Sequence, residues 1–290
     1  MDFSKVLRKY LEAPGKMVIA PGAYDGISAH LIAEAGFEAV YMTGAGTSAS
    51  RIGERDIGLT TMTEMVTNAA MMAECTQLPV IADADTGYGN PLNVIRTVHE
   101  YERANVAAIH IEDQVFPKRC GHLAGKQVIP AEQFVQKIKA AVDNRRNPDF
   151  LIIARTDAIA VCGFEEAIRR ANLCVEAGAD VVFVEAPRTI EELKQVPKKV
   201  KTACLVNMVG PASKTPAVDT GELQKMGYKI AIYPPICFDS AIHGIRQALS
   251  VLKEKGIGWD PSFVLSPEEF SKTVGFEKWK LWEKKYASTE

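Results

Sequence analysis

Eight short apolar runs, separated by segments of helical pattern, constrain the fold of this 290-residue chain more than any other feature. They are Met17 to Ala20, Ala39 to Thr43, Pro79 to Asp83, Ala107 to Glu112, Phe150 to Arg155, Asp180 to Glu185, Ala203 to Asn207, and Lys229 to Tyr233. Each is rich in β-branched residues and continuously apolar rather than alternating, which suits strands buried on both faces of a parallel sheet. The intervening segments read as helices over Gly26 to Ala35, Thr63 to Glu74, Asn90 to Ala104, Ala131 to Val142, Phe164 to Ala177, Ile190 to Val196, and Asp219 to Met226. Eight strands in strict alternation with helices predict an α/β chain closed into a (β/α)8 TIM barrel rather than an open doubly wound sheet. The echo of Glu34 to Val40 (EAGFEAV) in Glu176 to Val182 (EAGADVV) marks the repeating helix-turn-strand unit.

No linker or low-complexity stretch interrupts the pattern, so residues 1–290 are expected to form a single barrel domain with a helical extension over about 240–290. Within that extension, Ser266-Pro267-Glu268-Glu269 has the form of a capping box with a first-turn proline, predicting a terminal helix from that point. Its face of Phe270, Trp279 and Trp282 is more aromatic than a solvated tail requires, and is expected to pack on something, such as a neighbouring subunit.

The composition allows a full core, at 47% hydrophobic and 24% charged residues. The net charge of -2 comes from interspersed acids and bases, so no basic face points to nucleic acid, and small ligands are expected instead. No run approaches the roughly 20 apolar residues of a membrane span. Met1 to Gly15 is amphipathic and basic, without the apolar centre of a secretory signal. The six cysteines form no CxxC pair or dense framework, which is expected of a cytoplasmic protein whose thiols are mostly small buried hydrophobes.

In such a barrel the carboxyl ends of the strands form the active face. There the sequence places Tyr41-Met42-Thr43-Gly44, Asp83-Ala84-Asp85, His110-Ile111-Glu112-Asp113, Arg155-Thr156-Asp157, Glu185, Asn207 and Tyr233. Carboxylates crowded in a buried mouth repel one another, so Asp83, Asp85 and Glu112 ask for a cation. Oxygen donors without histidine or thiolate favour Mg²⁺, or Mn²⁺ as a substitute, over zinc, with some carboxylates acting through water. The plain alternative for each acid is a salt bridge or helix cap. Arg155 can clamp a substrate carboxylate, or pair with Glu185 or Asp157. Gly44-Ala45-Gly46 reads as a turn whose amides can face an anion.

Gln114 to Pro130 lacks any periodicity, as a lid or binding loop would, and contains Lys118-Arg119-Cys120-Gly121-His122, a thiol flanked by positive charge. An ordinary exposed basic loop is the bland alternative.

Taken together, KRCGH (118–122), DADTGYG (83–89), HIEDQ (110–114), ARTDA (154–158) and YMTGAG (41–46) resemble the isocitrate lyase and phosphoenolpyruvate mutase superfamily. The KRCGH loop is similar to that of its lyase branch. This resemblance implies a metal shell of Asp56, Asp83, Asp85 and Glu112, direct or through water. It implies contacts to a small dicarboxylate from Tyr41, Thr43, Gly44, Ala45, Lys118, Arg119, Gly121, His122, Arg155, Glu185, Asn207 and Pro234. Catalytic roles fall to Cys120 as general acid, with His122 beside it, and to Tyr41, Arg155 and Glu185. A homotetramer with swapped terminal helices is also implied.

The implied reaction is cleavage of the C2–C3 bond of a 2-hydroxy dicarboxylate. Methylisocitrate lyases continue the asparagine of strand seven with Thr-Glu-Phe, whereas this chain has Asn207-Met208-Val209-Gly210. The departure favours 2,3-dimethylmalate, split to pyruvate and propionate. The alternatives are 2-methylisocitrate split to pyruvate and succinate, and oxaloacetate hydrolysed to oxalate and acetate. More distant are phosphonopyruvate chemistry and a non-catalytic keto-acid-binding barrel.

Overall fold

The computed structural model describes residues 1–121, 125–211, 213–258, 260 and 264–287. Its elements run α1 (Phe3–Glu12), β1 (Val18–Ala23), α2 (Gly26–Glu34), β2 (Val40–Met42), α3 (Gly44–Arg51), α4 (Met62–Thr76), β3 (Val80–Asp83), α5 (Pro91–Arg103), β4 (Ala108–Glu112) and α6 (Ala131–Asn144). They continue with β5 (Leu151–Thr156), α7 (Ile159–Cys162), α8 (Phe164–Glu176), β6 (Val181–Val184), α9 (Ile190–Lys199), β7 (Ala203–Asn207), α10 (Thr220–Met226), β8 (Ile230–Tyr233), α11 (Ile236–Lys255), α12 (Pro267–Thr273) and α13 (Glu277–Tyr286). All strand pairs are parallel, and β8 closes on β1 with Val18 opposite Ile230, so the eight strands form the expected closed barrel.

Strand alternation divides each run between two cores. One set of positions, including Tyr41, Ile81, Leu151, Ile153, Phe183, Leu205 and Ile232, fills the barrel interior, where Phe3 and Leu7 of α1 join it. The basic amphipathic amino terminus therefore serves as a packed element of the fold. The other set packs against the helices, as Val40, Met42, Ala82, Ile109 and Ile152 do on one side and Val182, Val184, Cys204 and Val206 on another. Because successive side chains take opposite faces, the interior parity continues from Ile81 to Asp83, Ile153 to Arg155, Phe183 to Glu185 and Leu205 to Asn207. A barrel apolar below thus becomes polar at its carboxyl mouth.

Local signals set the helix starts. Thr61 and Glu64 form a reciprocal cap on α4, and Asn90 accepts from the Leu92 and Asn93 amides before Pro91 opens α5. The box at Ser266 and Glu269 forms as its sequence predicts. The terminal helix is nevertheless two helices, because α12 ends at Thr273, capped by Val274, and the chain turns through Gly275, whose φ of 68° stops the helix before α13. Phe270 therefore lies on α12, while Trp279 and Trp282 meet edge to face on α13. The Gly44-Ala45-Gly46 segment also differs from expectation: it is the first turn of α3, with the Thr43 hydroxyl accepting from the Gly46 amide.

None of the cysteines forms a disulfide, and two of the six, Cys174 and Cys204, are buried, while Cys162 is exposed and the others intermediate. The expectation that most are buried is corrected, since Cys75, Cys120 and Cys237 sit at element ends or in loops. Among the described residues no helix is long and apolar enough to cross a membrane.

Candidate active site

Six carboxylates converge at the carboxyl mouth, all less than a tenth exposed: Asp56, Asp83, Asp85, Glu112, Asp157 and Glu185. Such a cluster requires compensating positive charge. Two cations supply it at the centre. The Lys118 ammonium lies 2.5 Å from Asp56 Oδ1 and 2.6 Å from Asp85 Oδ1, carried inward by the loop after β4. The Arg155 guanidinium donates through Nε to Asp157 Oδ2 at 2.9 Å, with Nη1 3.2 Å from Glu112 Oε2 and Nη2 3.6 Å from Glu185 Oε2. It also lies 5.0 Å from the centre of the Phe183 ring. The pairing alternative for Arg155 is therefore realised, with Glu112 added.

Burial and the neighbouring cations oppose each other in setting the acidities. It pushes Glu112 well above the ordinary carboxyl range, against the opposing charges of Arg155 and Lys118. It lifts Asp85 to about 7 in spite of Lys118, with Asp83 and Asp56 adding to the rise. Burial also acts upward on Asp83, but His110, Lys118 and Arg155 hold that acid below its usual value. Asp157, with Arg155 and Lys126 overcoming its burial, falls to about 2. Backbone strain gathers here too: Asp85 and Tyr88 are non-glycine residues at φ of 47° and 58°, and Ala186, following Glu185, is at 57°.

Beneath the acids, Tyr41 and His110 share a hydrogen bond of 2.9 Å between the phenol oxygen and Nε2, and their rings stack. Burial raises the Tyr41 hydroxyl well above 10, the nearby Asp83 charge adding to it, so it is suited to donate a hydrogen bond rather than to act as a base. Burial lowers His110 to about 4 even though Asp83 lies beside it.

A cavity of about 110 Å³ opens above these groups. Of the expected substrate contacts, Tyr41, Thr43, Gly44, Ala45, Gly121, Arg155, Glu185, Asn207 and Pro234 line it, as do Cys120, Asp56 and Asp83. Asn207 donates to Glu185 Oε2 at 3.2 Å. Gly44 lies so close to the Asp83 carboxylate that any side chain there would collide with it. Lys118 and Arg119 do not line the cavity: the Lys118 ammonium is held by Asp56 and Asp85, and the Arg119 backbone is clamped by the Gln114 side chain at 2.7 and 3.0 Å. His122 lies outside the described residues.

Sequence reasoning missed the apolar wall of Val209, Pro235 and Phe238, since nothing marks single apolar residues in loops as ligand contacts. It also missed Lys126, which is buried and bonded to Asp157. That lysine carries no motif, and its role depends on where the loop folds.

The donor set fits a divalent cation. The Glu112 carboxylate is fully buried with neither oxygen in a hydrogen bond, and four acids (Asp56, Asp83, Asp85, Glu112) outnumber the two central cations. Among the described residues no three such donors lie close enough to ligate one ion together. An ion taking one or two carboxylates directly and the rest through water, as Mg²⁺ does, suits this spacing.

Comparison with known proteins agrees with this architecture. Residues 7–253 match the phosphoenolpyruvate phosphomutase family model, and the chain belongs to that family. It is 46% identical over 289 residues to the 2,3-dimethylmalate lyase of Eubacterium barkeri, covering 99% of each chain. It superposes on oxaloacetate acetylhydrolase bound to the inhibitor 3,3-difluorooxalacetate with a TM-score of 0.95 and 36% identity, over 99% of this chain and 98% of that one. Phosphonopyruvate hydrolase complexed with oxalate and Mg²⁺ superposes at 0.87 with 29% identity, over 99% of both.

The His110 environment is directly testable. Below about pH 6.5 the unfolded chain binds a proton that the folded ring refuses until about pH 4. This group therefore makes stability fall as pH drops through that window. Imidazole NMR of the folded protein should show His110 neutral at pH 5.5, and a protonated ring at that pH would contradict the site as described.

Proposed function

We propose that the chain is a Mg²⁺-dependent lyase that cleaves the C2–C3 bond of 2,3-dimethylmalate, giving pyruvate and propionate. One observation carries the choice of substrate: beside its acids and hydrogen-bond donors, the cavity is lined by an apolar wall of Ala45, Val209, Pro234, Pro235 and Phe238. A methyl-bearing C3 suits that wall, whereas the third carboxylate of methylisocitrate would meet it without a partner. The likeness to the Eubacterium enzyme over nearly the whole chain supports the same reading.

Asp83, Asp85, Glu112 and Asp56 would hold the ion, directly or through water. When bound, it supplies Lewis-acid polarisation of the C2 oxygen and its adjacent carboxylate. Tyr41, with its proton held by burial, donates to that oxygen, while Arg155 and Asn207 offer N–H groups to the carboxylate. The Glu185 carboxylate, which lines the cavity, takes the C2 hydroxyl proton as C2 collapses to a ketone; the C2–C3 bond breaks, and its electron pair stays on the second fragment as an enediolate. Cys120, at the cavity wall, delivers its proton to C3. The loop that carries Cys120 covers the site and limits water's access to that carbanion.

Cys120→Ser should reduce kcat by about 10²–10⁴-fold, the usual worth of a general acid. Binding of pyruvate or oxalate should remain within a few-fold. Parallel assays of dimethylmalate, methylisocitrate and oxaloacetate, with pyruvate and oxalate detected separately, should rank dimethylmalate first; faster release of oxalate from oxaloacetate would reassign the substrate.

We also propose that the protein is a homotetramer, its terminal helices packed on neighbouring subunits, and that it acts in a reducing compartment such as the cytoplasm. No residue of α11, α12 or α13 is buried, and α11 leaves Ile242, Ile245, Leu249 and Leu252 in solvent. Light scattering should give a four-chain mass, and a monodisperse monomer at micromolar concentration would refute it.

A further inference from the structure

We infer that Lys126 is a positioning residue that fixes Cys120 at the mouth of the cavity by tying the neighbouring Gly121 carbonyl to the carboxyl end of β5. The Lys126 side chain is 1% exposed, and its ammonium donates to Gly121 O at 2.5 Å and to Asp157 Oδ1 at 2.6 Å. Asp157 is itself anchored. Its carboxylate accepts from Arg155, and its backbone amide donates to Asp113 Oδ1 at 2.9 Å. The backbone that carries Lys126 is equally fixed, because the next residue, Gln127, accepts from the Val115 amide at 2.9 Å and Gln114 pairs with Val128. The lysine thus spans two rigid points and holds a third.

That third point must be set closely. A Cβ at Gly121 would come within 2.7 Å of Arg155 Nη2 and 2.8 Å of Glu185 Cδ, so this backbone rests on two groups that line the cavity. On its other side the Cys120 amide donates to Asp56 O at 3.2 Å. The backbone that carries the thiol is held between the Asp56 contact and the Lys126 contact. Neutralising Asp157 would not by itself require a lysine, since Arg155 already engages both of its oxygens. The bond to Gly121 is what distinguishes Lys126 from a simple counter-charge.

The inference rests on the proposed role of Cys120, but its test separates the two. Lys126→Met keeps the aliphatic stem and removes the bridge, while Lys126→Arg keeps the charge with a different reach. Alkylation of Cys120 by iodoacetamide, read by peptide mass, requires no substrate and should be several-fold faster in the Lys126→Met variant than in wild type, with the Lys126→Arg variant between. With dimethylmalate, kcat should fall about 10–100-fold in Lys126→Met, the order expected of a misplacement near 1 Å, with KM changed less than about threefold. Native circular dichroism establishes folding, and if Lys126→Met does not fold, Lys126→Arg carries the test alone. A folded variant of either kind that alkylates at the wild-type rate overturns the inference. Faster alkylation with no loss of kcat would instead keep the positioning role and remove Cys120 from the chemistry.

Discussion

The constraint on which this site depends is the concentration of negative charge in a mouth nearly closed to water. An isolated buried carboxylate would take up a proton, and several together repel, so their retention requires cations within a few ångström. Lys118 and Arg155 answer that need from two segments, one from the loop after β4 and one from β5. The loop is drawn inward by the charge it neutralises. Electrostatics that would destabilise an uncompensated mouth thereby position the segment bearing Cys120, so the acids contribute to assembling the site as well as to its charge.

The barrel makes this possible through parity and register. Glu112 on β4 stands opposite Arg155 on β5, and Asp83 on β3 opposite His110 on β4, so acid and base meet across adjacent strands. Below them the same faces carry Ile81, Ile153 and Phe183 in a tightly packed interior. Buried ion pairs add little net stability compared with apolar packing. The lower layers therefore stabilise the fold, which leaves the upper layer free to carry strained residues such as Asp85 and Ala186.

Much of this is legible in the sequence because strand ends are read from local pattern. The eight apolar runs locate the strands to within a few residues, and the polar residues terminating them include Asp83, Glu112, Arg155, Glu185 and Asn207. What the sequence hides is pairing over distance. That Lys118 engages Asp56 and Asp85 depends on how the loop folds back over the mouth, and the tie from Lys126 to Asp157 spans 31 positions. Helix α3 is hidden because two glycines and an alanine look like loop composition, yet Thr43 caps them into a helix. The break between α12 and α13 rests on Gly275, which a face-based reading of the aromatic residues passes over.

The central claim is that these acids hold a divalent ion. Mn²⁺ binding followed by electron paramagnetic resonance, with oxalate present to complete the coordination, tests it most directly. One tight ion per wild-type chain, weakened at least about tenfold by Asp85→Asn and by Glu112→Gln, is the expected result. Absence of stoichiometric binding by the wild-type protein, or affinity unchanged in both variants, would contradict the account.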